Sequence, residues 1–181
     1  MRIPPHIVRH LRRGGIAAYP TESCYGIGGL PNHPRVVRQI IRLKKRPQHK
    51  GLIVIGANIA QLQKHLQTLS PSVRQQLEHI WPAPATYILP AHARVLPQLR
   101  GRRRNGLAVR IPDHPLAREL CRQARSALIS TSCNRGGQRP CRSVREVRRR
   151  FGRQIPIIRG IIGKRKRPSD IIDWQNGTRL R

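Results

Sequence analysis

The sequence predicts an α/β domain: a twisted mixed parallel/antiparallel sheet with flanking helices. Short apolar runs of strand length alternate with segments of helical periodicity along the whole chain, and an Asn176-Gly177 pair stands between two strand-like runs near the end, as in a hairpin. The 181 residues suit a single domain, 1–181, with apolar residues spread throughout and no internal repeat or linker.

Taken in order, the apolar spacing of HIVRHL predicts a short helix ended by Gly14-Gly15, and IAAY is a brief strand leading into PTESCYGIGG, which opens a βα-like unit. Asn32-His33-Pro34 offers a cap and a first-turn proline for the helix RVVRQIIRLKK, and GLIVIGA reads as a buried strand. Two helices follow, in ANIAQLQKHL and in SVRQQLEHI after Ser70-Pro71; TYILPA is a strand and HARVLPQLRGRRRNG a long basic loop. LAVRIP is the next strand, Asp113 is placed to cap the helix PLARELCRQ, and the apolar strand SALISTS turns polar at SCNRGGQRPC. Ser143 and Glu146 form a capping box for VREVRRRF, closed by Gly152. IPII is a short strand, and Asn176-Gly177 predicts a type I′ turn between SDIIDW and TRLR.

Charge sets this chain apart: 37 Lys and Arg against 7 Asp and Glu give a formal +30, concentrated at RGRRRN, VREVRRRFGR and GKRKRP. Such a surface attracts polyanions and predicts salt-sensitive RNA or tRNA binding; a compositional bias toward arginine accounts for it equally well. With 3% aromatic residues there are few stacking platforms for a dedicated single-strand binder. No apolar run approaches the roughly 18 residues of a membrane span, and MRIPPHIVRHLRR lacks an apolar signal core, so a soluble, cytoplasmic protein is expected. Cys24, Cys121, Cys133 and Cys141 fit neither a CxxC pair nor a zinc signature and read as reduced, mostly buried thiols; His6 and His10 stand one helical turn apart without a third ligand.

Three polar segments follow apolar strands, PTESCYG, the arginine of LAVR, and STSCN, and their convergence with the cations of LKKRPQHK would assemble hydroxyls, an amide, guanidinium and ammonium groups. That set suits aligning a phosphorylated substrate better than supplying a nucleophile. Arg46 can fork onto phosphate oxygens, Lys50 can act as a mobile charge, and Ser132 and Asn134 can fix a nucleotide. The alternative for these cations is capping of the preceding helix. There is no Walker GxxxxGK[ST], and Cys24, beside Tyr25 with no assigned base, reads as packing.

AYPTESCYGIGG, LKKRPQHKGLIVI, WPAPATYIL, LAVRIPDHP, ISTSCN and the terminal PSDI-x₅-G, in that order, closely resemble the YrdC/TsaC family of threonylcarbamoyl-AMP synthases, from about Gly14 to the C-terminus. The resemblance implies a YrdC-like fold with a basic concave cavity and a reaction of ATP, L-threonine and bicarbonate that serves the t6A modification of tRNA. It assigns Lys44, Arg46 and Lys50 to a KxRxxxK signature over the nucleotide triphosphate, with Ser132 and Asn134 as its SxN partner, and leaves Lys45 as a helix cap. Ser23, Arg110, Ser130 and Ser169 are placed near threonine, where a planar guanidinium at a strand end suits a carboxylate. Mg²⁺ is expected to arrive with ATP rather than in a protein cage, and the downstream t6A transferase proteins are implied partners. Two other classes compete: an RNA-binding or ribosome-maturation factor, supported by the charge, and the carbamoyl-adenylate module of hydrogenase maturation, whose usual attached domains do not fit in 181 residues.

Overall fold

The computed structural model describes residues 3–47, 49–101 and 105–181. Helix α1 (Pro5–Arg12) buries Ile7, Val8 and Leu11 on one stripe. It closes as the glycine pair predicts: Gly14, at φ +80°, donates its N–H to the Leu11 carbonyl at 3.0 Å, and Gly15 donates to that of His10 at 2.9 Å. Strands β1 (Ala17–Pro20) and β2 (Tyr25–Gly28) form an antiparallel hairpin, followed by helix α2 (Pro34–Lys44) and strand β3 (Ile53–Ile55). Helices α3 (Ile59–Gln63) and α4 (Pro71–Ile80), strand β4 (Ala85–Pro90), helix α5 (Pro97–Arg100) and strand β5 (Gly106–Arg110) come next. Helix α6 (Pro115–Ala124), strand β6 (Leu128–Ser132), helix α7 (Val144–Phe151) and strand β7 (Asp170–Asp173) complete the order.

The sheet runs β1-β2-β6-β3-β5-β4-β7 and is mixed, as expected: β3 lies parallel to β5 and β4 to β7, and the other pairs are antiparallel. Alternation along each strand sends side chains to two cores. On one face α1 and α6 pack Leu11, Leu116 and Leu120 against Ala17, Tyr19, Ile55 and Leu128. On the other, α2, α4 and α7 pack Ile40, Leu77 and Phe151 against Ala18, Ile27, Val54 and Ile129. Trp81, Tyr87 and Trp174 meet edge to face, with ring centroids 5.8 and 5.2 Å apart, and tie the end of α4 to the β4–β7 edge.

Several local readings are corrected. PTESCYGIGG contains a strand, so the chain opens with a hairpin before α2 rather than with a βα unit. His33, not Asn32, is the residue before α2, and His114, not Asp113, precedes α6; neither makes a side-chain cap, and proline stands at the first helical position of each, where no N–H needs an acceptor. The basic loop contains α5, while Arg102, Arg103 and Arg104 lie outside the described residues. IPII touches the sheet at a single parallel bridge, Ile157 to Ala18. The terminal turn is longer than type I′: Gly177 has φ +68° and donates to the Asp173 carbonyl, Thr178 is held by the Asn176 side chain, and Arg179 bridges Ile172. Ser143 does cap α7, accepting from the Glu146 N–H at 3.2 Å, while the Glu146 carboxylate reaches back to the Arg142 N–H at 2.6 Å.

Candidate active site

The end of α2 decides where the cations of KKRPQHK go. Lys45 adopts the left-handed conformation, φ 48° and ψ 46°, a place more often filled by glycine. Its N–H donates to the Arg42 carbonyl at 3.1 Å, and that of Arg46 to the Ile41 carbonyl at 3.0 Å. The chain therefore turns off the helix axis directly after Lys44, whose side chain still faces inward and is 3% exposed.

The Lys44 ammonium donates to the Ser132 carbonyl, to the Asn134 carbonyl at 2.9 Å and to Asn134 Oδ1 at 2.8 Å, one acceptor for each of its hydrogens. Ser132 Oγ donates to the same Oδ1 at 2.7 Å, and Asn134 Nδ2 donates to the Gln138 carbonyl at 2.6 Å. The loop answers in kind, since the Gly136 N–H caps the Lys44 carbonyl at 2.7 Å. Burial, with the neighbouring Arg46 charge second, lowers the Lys44 pKa to about 8. Gly136 and Gln138 went unnoticed in the sequence, where only their place in a Gly-rich loop marked them.

Arg46 turns back on its own loop: Nη2 donates to the Gly51 carbonyl at 2.6 Å, and Nε reaches the Lys50 and Gly51 carbonyls at 3.0 and 3.2 Å. This leaves Nη1 without a partner among the described residues. Lys50 is exposed. Neither side chain is bonded to the last carbonyls of α2; the helix is closed by the backbone N–H groups of Lys45 and Arg46, and Lys45 ends it through its left-handed backbone rather than through its charge.

On the other side of the site Arg110 and Glu22 form a buried two-pronged ion pair, Nη1 to Oε1 at 2.9 Å and Nη2 to Oε2 at 3.2 Å, with the Asp113 N–H donating to Oε1 at 3.0 Å. Arg110 Nε is buried and has no partner among the described residues. Glu22 was legible only as part of a motif, because its partner lies 88 residues away. The loop carrying Glu22 is pinned from above by a later segment. Gly163 donates to the Thr21 carbonyl at 2.9 Å and Arg165 to the Glu22 carbonyl at 3.2 Å. The approach needs glycine, since a Cβ on Gly163 would stand 2.6 Å from the Glu22 oxygen.

The polar segments converge on one face of the sheet rather than at one edge. Strand β6 runs antiparallel to β3, which puts Ser132 and Arg110 toward opposite strand ends. Ser130 stands opposite Ile53 and Arg110 opposite Ile55, and residues two apart on β3 point the same way, so Ser130 and Arg110 share a face. Ser130 Oγ lies beside Gly26, where an added Cβ would meet it at 3.4 Å and Thr21 at 3.2 Å. Ser169 shares a hydrogen bond with Thr86 at 2.9 Å, both buried. Ser23 is half-buried; its carbonyl accepts from Arg142 at 3.0 Å. Burial raises the Cys24 thiol pKa, which fits packing rather than nucleophilic chemistry. All four cysteines are free thiols, three of them buried.

The site so described holds cations, hydroxyls, one amide and the Arg110-bound Glu22 carboxylate around a strand face, with no nucleophile–base pair among the described residues. Residues 9–181 match the family model Sua5_yciO_yrdC, described as "Telomere recombination", and the chain belongs to this Sua5/YciO/YrdC family. A protein named threonylcarbamoyl-AMP synthase from Neisseria gonorrhoeae is 55% identical over 172 residues, 95% of this chain and 91% of the relative. One of the same name from Chromobacterium violaceum is 44% identical over 180 residues, 99% of this chain and 93% of the relative. Among solved structures, P. abyssi Sua5 complexed with L-threonine superposes with a TM-score of 0.87 at 27% identity, covering 99% of this chain and 54% of that one, so this chain spans about half the Sua5 length. Among the described residues no helix is long and apolar enough to cross a membrane.

Proposed function

We infer that the chain is a threonylcarbamoyl-AMP synthase, a nucleotidyltransferase that converts ATP, L-threonine and bicarbonate into L-threonylcarbamoyladenylate and pyrophosphate. The observation that carries this reading is the Lys44 ammonium, which ties the KxRxxxK segment to the SxN turn across 88 residues of sequence. Two motifs that the sequence keeps apart are one structural unit, and the relatives of 55% and 44% identity bear that enzyme's name.

In this reading the threonine amine adds to bicarbonate with loss of water, and an oxygen of the resulting carbamate attacks the α-phosphorus of ATP. The new P–O bond forms as the bond to the β-phosphate oxygen breaks, and pyrophosphate leaves. Catalysis is then mainly alignment and charge stabilisation. Arg46 offers Nη1 and Lys50 its ammonium to the triphosphate, while Ser132 and Asn134, held rigid by Lys44, shape the nucleotide side. Arg110, oriented by its two-pronged pairing with Glu22, is the guanidinium assigned to the threonine carboxylate, and the Ser23, Ser130 and Ser169 hydroxyls are assigned to the same substrate.

Magnesium fits as part of the substrate. Among the described residues no three His, Cys, Asp or Glu side chains cluster, and Glu22 is spent on Arg110, so a divalent ion would ride on the phosphate oxygens as MgATP. We place the enzyme in the cytoplasm, acting as one domain, with its product passed to the t6A transferase proteins and with tRNA drawn to the basic surface.

The test is purified protein with MgATP, threonine and bicarbonate. Threonylcarbamoyl-AMP and pyrophosphate are expected in equal amounts, both requiring threonine and bicarbonate. Equal pyrophosphate release with either omitted would falsify the assignment.

A further inference from the structure

A cavity of about 490 Å³ opens where the end of α1 meets the start of α2. Helix α1 lends it His6, Arg9 and His10, with Arg13 directly after it; α2 lends Arg35 and Gln39. Its floor is the Gly14-Gly15 turn, and the imidazole of His10 lies so close over Gly15 that a Cβ there would overlap it at 2.1 Å. None of the seven acidic residues lines the cavity, and among the described residues none of the three guanidinium groups pairs with a carboxylate. The last carbonyls of α1, which would repel an anion, are satisfied by the Arg13, Gly14 and Gly15 N–H groups. The start of α2 has neither an acidic residue in its first turn nor a side-chain cap, so the positive end of its dipole also goes uncompensated.

We propose that this cavity is a second anion site, taking linked phosphate groups. Three guanidinium groups from two helices around one hollow match several phosphates better than one, and the volume is that of a small-ligand site. Apart from Pro5 at its start, the exposed side of α1 is polar, because Ile7, Val8 and Leu11 are spent on the core; neither a protein partner needing an apolar centre nor a membrane needing an apolar anchor is served by it. The site is separate from the one around Lys44 and Arg110. Ile16, at the cavity wall, precedes β1, whereas the Glu22 loop leaves the far end of that strand, about 13 Å on at 3.3 Å per residue. Linked phosphates occur free, as oligophosphate, and in an RNA backbone. The second source is favoured by extent, since Arg9 also borders a neighbouring hollow of about 440 Å³ shared with Arg12, Arg122 and Arg125.

The inference does not depend on the synthase reading, and the test keeps the two apart. Inorganic tripolyphosphate is titrated calorimetrically, at about 0.1 M salt, into the Arg46→Ala/Lys50→Ala protein, whose nucleotide site is disabled. One saturable site is expected to remain. Replacing Arg9, Arg13 and Arg35 by Gln should weaken it about tenfold or more, whereas replacing Arg145, Arg148 and Arg149 on α7, an equal charge change on another exposed face, should leave it within about threefold. In the otherwise unaltered protein, the cavity substitutions should leave synthase turnover unchanged and the melting curve in place, since all three side chains are exposed. A parallel salt series with tRNA separates the sources. A log–log slope shallower by roughly 0.9 per lost contact in the cavity variant assigns the RNA backbone, and an unchanged slope with tripolyphosphate binding lost assigns free oligophosphate. Equal loss in both triple variants, or no saturable binding in the doubly substituted parent, would show diffuse charge attraction and overturn the proposal.

Discussion

Lys44 and Asn134 are joined twice, ammonium to carbonyl oxygen at 2.9 Å and ammonium to Oδ1 at 2.8 Å, so a helix end and a strand-end turn share one cation. Lys44→Met keeps the length of the side chain and strands those acceptors, and should destabilise the fold by about 1–3 kcal/mol. Turnover should fall with it, because Ser132 and Asn134 lose their anchor. Because burial brings the Lys44 pKa down from 10.5 to about 8, the unfolded chain holds a proton between those values that the folded chain has released. The stability contributed by this group therefore rises with pH through that window. Urea unfolding of parent and variant at several pH values from 7 to 10 checks it: the gap between them should widen as pH rises, and a constant gap refutes the assignment.

The Glu22–Arg110 pair predicts an asymmetric response. Glu22→Ala leaves a buried guanidinium uncompensated and should cost about 3–5 kcal/mol of stability, whereas Glu22→Gln keeps the shape and one acceptor and should cost less. With Arg110 re-aimed, the Gln variant should raise KM for threonine more than KM for ATP. Steady-state kinetics with each substrate varied would contradict this if both constants moved together.

Arg46 and Lys50 should part company under alanine substitution. Both should weaken ATP binding by about 2 kcal/mol, the loss of a charge-assisted contact. Arg46→Ala should also lower the melting temperature, because the Gly51 carbonyl loses its donor, while exposed Lys50→Ala should not. Calorimetric ATP titration alongside thermal melts tests the pair; an Arg46 variant that melts earlier yet binds ATP normally would reduce this arginine to a loop brace.

Lys45 pays the steric penalty of a left-handed backbone with an ordinary side chain. Lys45→Gly should relieve strain of about 1–2 kcal/mol, offset in part by the greater freedom of glycine when unfolded, for a net gain of several tenths of a kcal/mol. Chemical denaturation of the two proteins would show the midpoint moving up, and a loss of stability would mean that the Lys45 side chain makes a contact of its own.

What the sequence could disclose was local. Ser143 caps α7 as its spacing from Glu146 predicts, although the Glu146 carboxylate takes the Arg142 N–H instead of that of Ser143, and Gly14-Gly15 ends α1 through two backbone bonds within its last turn. Tyr25–Gly28 escaped notice because two glycines dilute its strand character, and its place in the sheet is set by β1 on one side and β6 on the other. The site divides in the same way. Lys44, Arg46, Ser132 and Asn134 stand out as motif residues, but the occupation of the Lys44 ammonium and of the Arg110 fork depends on groups 88 to 90 residues distant, which no periodicity reports.

The pairing of β4 with β7 joins Ala85 to Asp170, while β1 and β2 close across a four-residue turn. A hairpin of the second kind forms in about 1–10 μs, but a parallel contact between distant segments must first meet the entropy of closing a long loop. The two halves of the cleft therefore differ in how local their framework is: the turn that carries Glu22 belongs to a hairpin closed by neighbouring residues, whereas the Ser169–Thr86 contact spans 83 residues and depends on β7 lying beside β4.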